Sequence, residues 1–427
     1  MDTASHRSSL PWTRARHFGK IGVSLGVILI VGVVIAYRMG LGRKGSPPMA
    51  PPSVAVLPFN NLGDARNEFF SDGLTDELID SLGRVSGLRV VARASAFQFK
   101  GKALDVRDIG KKLGVRAVLG GSVRESEGQL RITAQLDDTS NGYRLWSQSY
   151  DRETKDILRV QREISNAITG SLGATLAAQS PLRLQNLNSG GAVSFQAYQD
   201  YPRGRYFWNR NTANGINTAI EFFQKAIQRD PHYPLAYVGL AGCYIETPRH
   251  NPITSRELAP RIRDLANRAL DLDPTLGEAH LDLAVALASE LNWAAAEAEF
   301  KLGLELSPGN ANGHRLYGSL YLSRVGRLEE ALREARIAFD LDPVSLSAAQ
   351  GVGAGLYEMR RYDEAIGQYE RALAMDPNFG LARLGLGRCY LGKGLHTRAL
   401  AEMEQAHKDL EGDIRATGEL VHRPISS

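Results

Sequence analysis

Residues capable of chemistry are present in this chain of 427 residues, but their spacing does not assemble a reactive site. The nine histidines are scattered, with no His-x-x-x-His pair and no paired cysteines, so no metal-ligand spacing is found. No Gly-x-Ser-x-Gly nucleophile turn occurs. The run from Gly387 through Gly392-Lys393 imitates a phosphate-binding loop, but it ends in Gly394 where magnesium binding requires Ser or Thr. It also reads as helix and turn, whereas a phosphate loop follows a strand. Asp72, Asp76 and Glu77 form an acidic group of the kind that performs general acid–base work. Their place at the expected start of a helix assigns them instead to complementing the helix dipole. These residues predict no catalytic, cofactor-binding or metal site, and a binding protein in place of an enzyme.

The elements between residues 53 and 180 predict an α/β domain with a mixed sheet. Ser53–Phe59 is a short apolar run closed by turn residues, the pattern of a strand buried on both faces. A helix follows with Leu74, Leu78 and Leu82 on one stripe and Ser71 or Thr75 able to cap its start. Leu88–Arg93 repeats the buried-strand pattern, Asp105–Leu113 reads as a short helix, and Val115–Val123 as another strand. From Leu130 to Leu136 apolar and polar residues alternate, which marks an antiparallel strand with one wet face. Gly128 and the Asn141-Gly142 pair supply turns on either side. Trp146, Gln148 and Tyr150 share one face of a last strand, and Val160, Ile164, Ile168 and Leu172 make the stripe of a closing helix. Two crossovers followed by a meander imply a mixed sheet with helices packed on it.

Residues 197–412 carry an internal repeat. Pro231, Pro274, Pro308, Pro343 and Pro377 are spaced by 43, 34, 35 and 34 residues, each but Pro308 preceded by Asp. A period of 34 is that of the tetratricopeptide repeat, a helical hairpin that stacks into a superhelix. Other positions keep the phase: Ala219, Phe223 and Ala226 before Pro231, Ala296 and Phe300 before Pro308, and Ala365, Tyr369 and Ala372 before Pro377. Small residues let the paired helices approach, and the large one fills the groove between repeats. About six repeats are expected, the second lengthened around Glu246–Thr254 by a loop that either touches a partner or caps a helix. Cys243 and Cys389 occupy one position of repeats four apart, too far for a disulfide, and read as small buried apolar residues.

The stretches SVAVLPFNNL, FFSDGLTDELIDSL, LRVVARASAFQFKGK, GVRAVLGGSV and LRITAQLDDTSNGYRLWSQSYDR resemble the TolB amino-terminal-like domain. That domain occurs in CadC-type membrane regulators, membrane kinases and cyclase-linked tetratricopeptide proteins, and with the repeats the resemblance covers nearly everything after residue 52. It supports a body that stands outside the cytoplasm beside a membrane, and the α/β domain is expected to act as a docking or sensing module. Those relatives carry a winged-helix, kinase or cyclase domain on the cytoplasmic side, where this sequence has residues 1–20. A transcriptional or cyclase output is therefore not carried over.

Ile21–Tyr37 is 17 residues without a charge, bounded by Lys20 and Arg38, and is expected to form an uncleaved transmembrane helix within 21–38. Residues 1–20 are its basic tail, with Arg7, Arg14, Arg16 and Lys20 against Asp2. Residues 39–52 form a proline-rich spacer, and 413–427 a terminal tail. The net charge of +4 lies mostly in that first tail. The body thus lacks the clustered basic face of a nucleic-acid binder. Four basic residues on one flank against three on the other favour a cytoplasmic N-terminus, with the body in the periplasm or otherwise outside the cytoplasm at the cell inner membrane. Gly22 and Gly26 form a small-xxx-small pair compatible with a homodimer of the spanning helix, and equally with the general abundance of glycine in membrane helices. The expectation is a membrane-anchored protein binding a protein partner in the repeat groove. A sensor or accessory subunit of a signalling system is the alternative, and an enzyme of the α/β domain a third.

Overall fold

The computed structural model describes residues 52–64, 68–175, 183–184, 194–210, 212–249 and 253–410. The basic tail, the expected spanning segment with Gly22 and Gly26, nearly all of the spacer and the tail after residue 412 lie outside them. Among the described residues no helix is long and apolar enough to cross a membrane.

The α/β part is a mixed sheet in the order β4-β1-β5-β6-β7. Strand β1 (Ser53–Val56) runs parallel to β4 (Arg89–Val90) and to β5 (Ala117–Ser126). The short β2 (Asn60–Asn61) also joins β5, and β3 (Val85–Ser86) pairs with β8 (Arg183–Leu184) apart from the main sheet. Strands β5, β6 (Gln129–Asp138) and β7 (Arg144–Glu153) form an antiparallel meander. Its first turn is tight, with Glu127 at φ 51° and Gly128 at φ 79°. The alternation of β6 sends Leu130, Ile132, Ala134 and Leu136 into the core, each 1 % exposed or less. Tyr150 shares that face of β7 and is buried, Trp146 is half-buried and Gln148 is exposed near the strand's centre.

Helices α1 (Glu68–Gly83) and α4 (Ile157–Thr175) cover that face. Leu74, Leu78 and Leu82 of α1 and Val160, Ile164, Ile168 and Leu172 of α4 are fully buried. Each such side chain contributes roughly 1.5–3 kcal/mol of burial. Helix α3 (Val106–Leu113), capped by Asp105 accepting from Arg107 N, packs Ile109 and Leu113 on the opposite face. Between them α2 (Arg93–Phe97) is one short turn. The strand expected over Leu88–Arg93 shrinks to two residues because Ala92 N donates to Leu341 O, 3.0 Å away in the repeat array. The chain leaves the sheet there to meet the second part of the molecule.

That second part is six helix pairs: α5 (Phe195–Trp208) with α6 (Ala213–Arg229), α7 (Pro234–Glu246) with α8 (Ser255–Leu272), and α9 (Gly277–Ser289) with α10 (Trp293–Leu306). Then follow α11 (Ala311–Leu316, widening into a π turn over Tyr317–Leu322) with α12 (Leu328–Leu341), α13 (Leu346–Glu358) with α14 (Tyr362–Met375), and α15 (Gly380–Gly392) with α16 (His396–Asp409). Ala219, Phe223, Ala226, Ala296, Phe300, Ala365 and Ala372 are fully buried, and Tyr369 is 3 % exposed. Pro231, Pro308 and Pro377 stand in the turns between pairs. A Cβ on Gly204 or Gly239 would lie 2.7 or 2.4 Å from the Phe223 ring, so one large side chain fills the space two glycines leave. Tyr369 stands likewise between Gly353 and Gly385. In the lengthened second repeat Thr254 caps α8 and forms a capping box with Glu257. Cys243 and Cys389 are both free and buried in first helices, and burial pushes both thiols up, Cys389 to about 11. The phosphate-loop-like run lies on α15 and its closing turn, where Gly394 takes φ 74°.

Candidate functional site

Helix α1 has two faces, and only the apolar one follows the expected pattern. Ser71 and Thr75 do not cap it. The helix begins at Glu68, so both sit inside it, and their hydroxyls donate back to Glu68 O (2.9 Å) and Ser71 O (2.8 Å). Thr75 Oγ1 also accepts from Phe59 N at 3.0 Å, which ties the helix to the loop after β1. Asp72, Asp76 and Glu77 do not serve the dipole either. They are buried in the second and third turns, against the first repeat and the segment after β4. Three acids on a buried face need partners, since an unpaired buried charge costs several kcal/mol.

Two of the three find them. Lys100 holds Asp72 at 2.6 and 2.7 Å. Arg93 Nε reaches Asp76 Oδ1 at 2.6 Å, while Asn209 Nδ2 donates to Asp76 Oδ2 at 3.3 Å. Arg205, from the first repeat, lies 3.9 Å from Asp76 and 3.2 Å from Asp80. Burial nonetheless raises the Asp72 and Asp76 carboxyls, with these cations opposing it. Among the described residues Glu77 has no cation in contact. Burial lifts it to about 8, opposed mainly by a hydrogen bond with Gln161. Gln161 in turn donates to Tyr198 Oη at 2.9 Å.

Tyr198 belongs to α5, the first helix of the array, yet it is 1 % exposed inside the core of the α/β part, edge-on to Phe70 at 5.9 Å. Arg203 lies over Phe69, 4.4 Å from the ring centre. Gly73 meets Pro202 so closely that a Cβ on it would come within 2.4 Å of Pro202 Cβ. The two parts are thus joined through a packed, partly ionised seam of α1 on α5.

A second set of contacts reaches across to later repeats. Gly309 N donates to Gly83 O at 3.1 Å, Arg84 pairs with Glu278 at 3.3 Å, and Ser95 Oγ donates to Asp342 Oδ1 at 2.6 Å. Arg89 donates to Asp340 O. Between seam and far contacts lies a cleft walled on one side by Ile79, Asp80 and Arg93 and on the other by first helices of the repeats. Further along the array a groove lined by Ser319, Ser323, Gln350 and Glu358 contains no residue of the α/β part, while at its near end Arg315 and Ser347 also border a hollow walled by Ala94 of that part.

A lock that residue identity conceals recurs at the turns. Six residues after four of the five turn prolines, Tyr237 Oη, Arg383 Nη2 and the Nε2 atoms of His280 and His314 reach the proline carbonyl at 3.1, 2.7, 3.1 and 3.1 Å respectively, whereas Ala349 follows Pro343. The two histidines also hold Glu299 and Glu334 through Nδ1 at 2.6 Å. Among the described residues no group of three or more His, Cys, Asp or Glu is placed to hold a metal ion.

Residues 353–412 match the family model of the tetratricopeptide repeat, and the six helix pairs with their buried small and large positions are repeats of that class, whose members bind protein partners. The chain is 37% identical over 246 residues to a protein of Rhizobium meliloti (strain 1021) named "Putative adenylate cyclase 3", an alignment covering 56% of this chain and 41% of that protein. It is 24% identical over 198 residues to Hsp70-Hsp90 organizing protein 1 of Glycine max, covering 46% of this chain and 29% of that one. Among solved structures, YrrB, a tetratricopeptide protein with an unusual peptide-binding site, aligns with a TM-score of 0.33 and 20% identity over 46% of this chain and 97% of its own. The chain spans less than half the length of these two curated relatives.

Proposed function

We propose that this chain is a membrane-anchored interaction protein whose body stands outside the cytoplasm and binds a protein partner in the groove of its later repeats. The observation that carries this reading is the division of the groove. First helices of repeats one to four face the chain's own α/β part across the cleft, whereas the surface from Ser319 through Gln350 to Glu358 is lined by repeat residues alone. A run of Ser, Gln and Glu on rigid helices offers hydrogen bonds to a polypeptide without reactive groups. The span over residues 21–38 and the basic tail before it supply the anchor and its orientation in this reading.

A photo-crosslinking residue at Gln350 of the full-length membrane-inserted chain should yield a discrete protein adduct, and the same residue at exposed Tyr143 should not. Equal adducts at both positions, or none at Gln350, would remove the groove from the reading. A reporter active only in the cytoplasm, fused after Ser427, should be silent. The likeness to a protein named as a cyclase supports a second reading, in which the chain is a sensor or accessory subunit of a signalling system. Loss of a cyclic-nucleotide response on deleting the chain, with no adduct at Gln350, would favour it.

A further inference from the structure

The cleft between the α/β part and the first four repeats measures about 340 Å³, within the roughly 300–1,000 Å³ usual for small-ligand sites. Its acids are mostly paired: Asp80 with Arg205 at 3.2 Å and Asp342 with Ser95 at 2.6 Å. Glu278 meets Arg84 at 3.3 Å, and Glu246 meets Arg315 at 3.8 Å. Asp282 is the exception. Its Oδ2 is shut off from solvent and has no hydrogen-bond partner among the described residues. The same holds for Ser307 Oγ, whose residue is 2 % exposed and lines the same cleft. Buried polar atoms are nearly always partnered, so the Asp282 oxygen and the Ser307 hydroxyl, both lining this cleft, call for a partner; Arg205 Nε also lacks a hydrogen bond there but lies 3.9 Å from Asp76. Trp208, Ile245, Leu281 and Leu316 supply apolar walling around them.

We propose that this cleft binds a singly charged basic group, a guanidinium or ammonium on a short apolar stem, with Asp282 as its counter-ion and Ser307 Oγ as a second acceptor. The stem would lie along the apolar walling, and the charge would meet a carboxylate whose buried oxygen has no hydrogen-bond partner among the described residues. This site is separate from the open groove of the later repeats and does not depend on a partner binding there. Free basic amino acids and basic side chains of a polypeptide share this chemistry.

Binding has a proton signature. Burial, with Glu278 adding to it, holds the Asp282 carboxyl well above the usual range. The charged groups around it are Glu278 on its own helix, Glu246 on α7, Arg205 on α5, and Asp80 and Arg93 across the cleft, with Cys243 behind. A cation must therefore release the Asp282 proton. Affinity then rises with pH, by up to about tenfold per unit while the carboxyl is protonated in the empty cleft.

Isothermal titration of the full-length chain with Nα-acetyl-argininamide tests this, using the uncharged Nα-acetyl-citrullinamide as control. The citrulline compound should bind at least tenfold more weakly, Asp282→Asn should weaken the arginine compound at least tenfold, and Ser307→Ala a few-fold. The heat should vary with the buffer's ionisation enthalpy. Asp282→Asn mimics the protonated acid in shape and charge, so the fold should persist, which circular dichroism checks. Blocked argininamide binding as tightly as free arginine points to a residue within a polypeptide; free arginine binding alone points to a small molecule. Equal binding of arginine and citrulline compounds, insensitivity to Asp282→Asn, or no saturable binding would overturn the proposal and leave a water-filled cleft.

Discussion

The α/β part meets the array in two places, and they are built differently. At the near seam, α1 and α5 share a core: Tyr198 packs on Phe70, Gly73 on Pro202, and the ion pairs of Asp72 and Asp76 lie under cover. At the far side the contacts are single hydrogen bonds and one ion pair between turns, with glycine meeting glycine at Gly83 and Gly309. A contact made of buried side chains loses apolar burial when opened. One made of isolated hydrogen bonds exchanges them for water at a net cost of about 1 kcal/mol each. The near seam is thus a permanent joint, and the far side a latch.

The largest effect should come from wedging the joint. Gly73→Val places two further carbons where a Cβ alone already stands 2.4 Å from Pro202. Overpacking costs about 1–3 kcal/mol, and here the strain falls on two helices at once. Chemical denaturation should show a loss above about 2 kcal/mol. An unchanged midpoint would mean that α1 and α5 are not held rigidly. Gly309→Ala, which brings a Cβ to 3.0 Å of Gly83, should loosen the latch while leaving the midpoint nearly unchanged.

Glu77 distinguishes the two places by pH. Its carboxyl lies near 8 in the folded chain because the joint is dry. An acid raised on folding contributes stability that is complete below its unfolded value, near 4.5, and lost as pH rises through 8. The slope is at most about 1.4 kcal/mol per pH unit. The raised Asp72 and Asp76 carboxyls act in the same direction. Wild-type stability should therefore fall between pH 5 and pH 8, and Glu77→Gln should flatten the profile and gain most at the alkaline end. Parallel profiles for the two proteins would show that water reaches Glu77.

These residues also mark where the sequence stops being legible. Periodicity exposes whatever repeats in identity or polarity, which is why Leu74, Leu78 and Leu82, the β6 alternation and the turn prolines could be read directly. The joint offers no such sign. Asp72 and Asp76 look like helix-start acids because their cations, Lys100, Arg93 and Arg205, are 28, 17 and 129 residues away in the chain. The turn lock was hidden for the opposite reason, since Tyr237, His280, His314 and Arg383 perform one task with three residue types. An orphaned Asp282 cannot be recognised before its neighbours are placed.

The smallest effect should come from the latch itself, and Asp342 shows why. In three other turns the aspartate accepts from the backbone two residues on: Asp230 from His232 N, Asp273 from Thr275 N and Asp376 from Asn378 N, each at 2.9 Å. Asp342 instead accepts from Ser95, at 2.6 Å between two buried residues. A group that elsewhere stabilises its own turn is here turned outward to the α/β part. Ser95→Ala removes the donor, and the carboxylate can then return to its own turn, so the net loss should be about 1 kcal/mol or less. Hydrogen exchange separates this from damage to the joint. Protection should fall at Ala92 N and Gly309 N, which bond across the latch, and stay unchanged along α1 and α5. If protection drops equally on both sides, joint and latch open as one unit and the distinction between them fails.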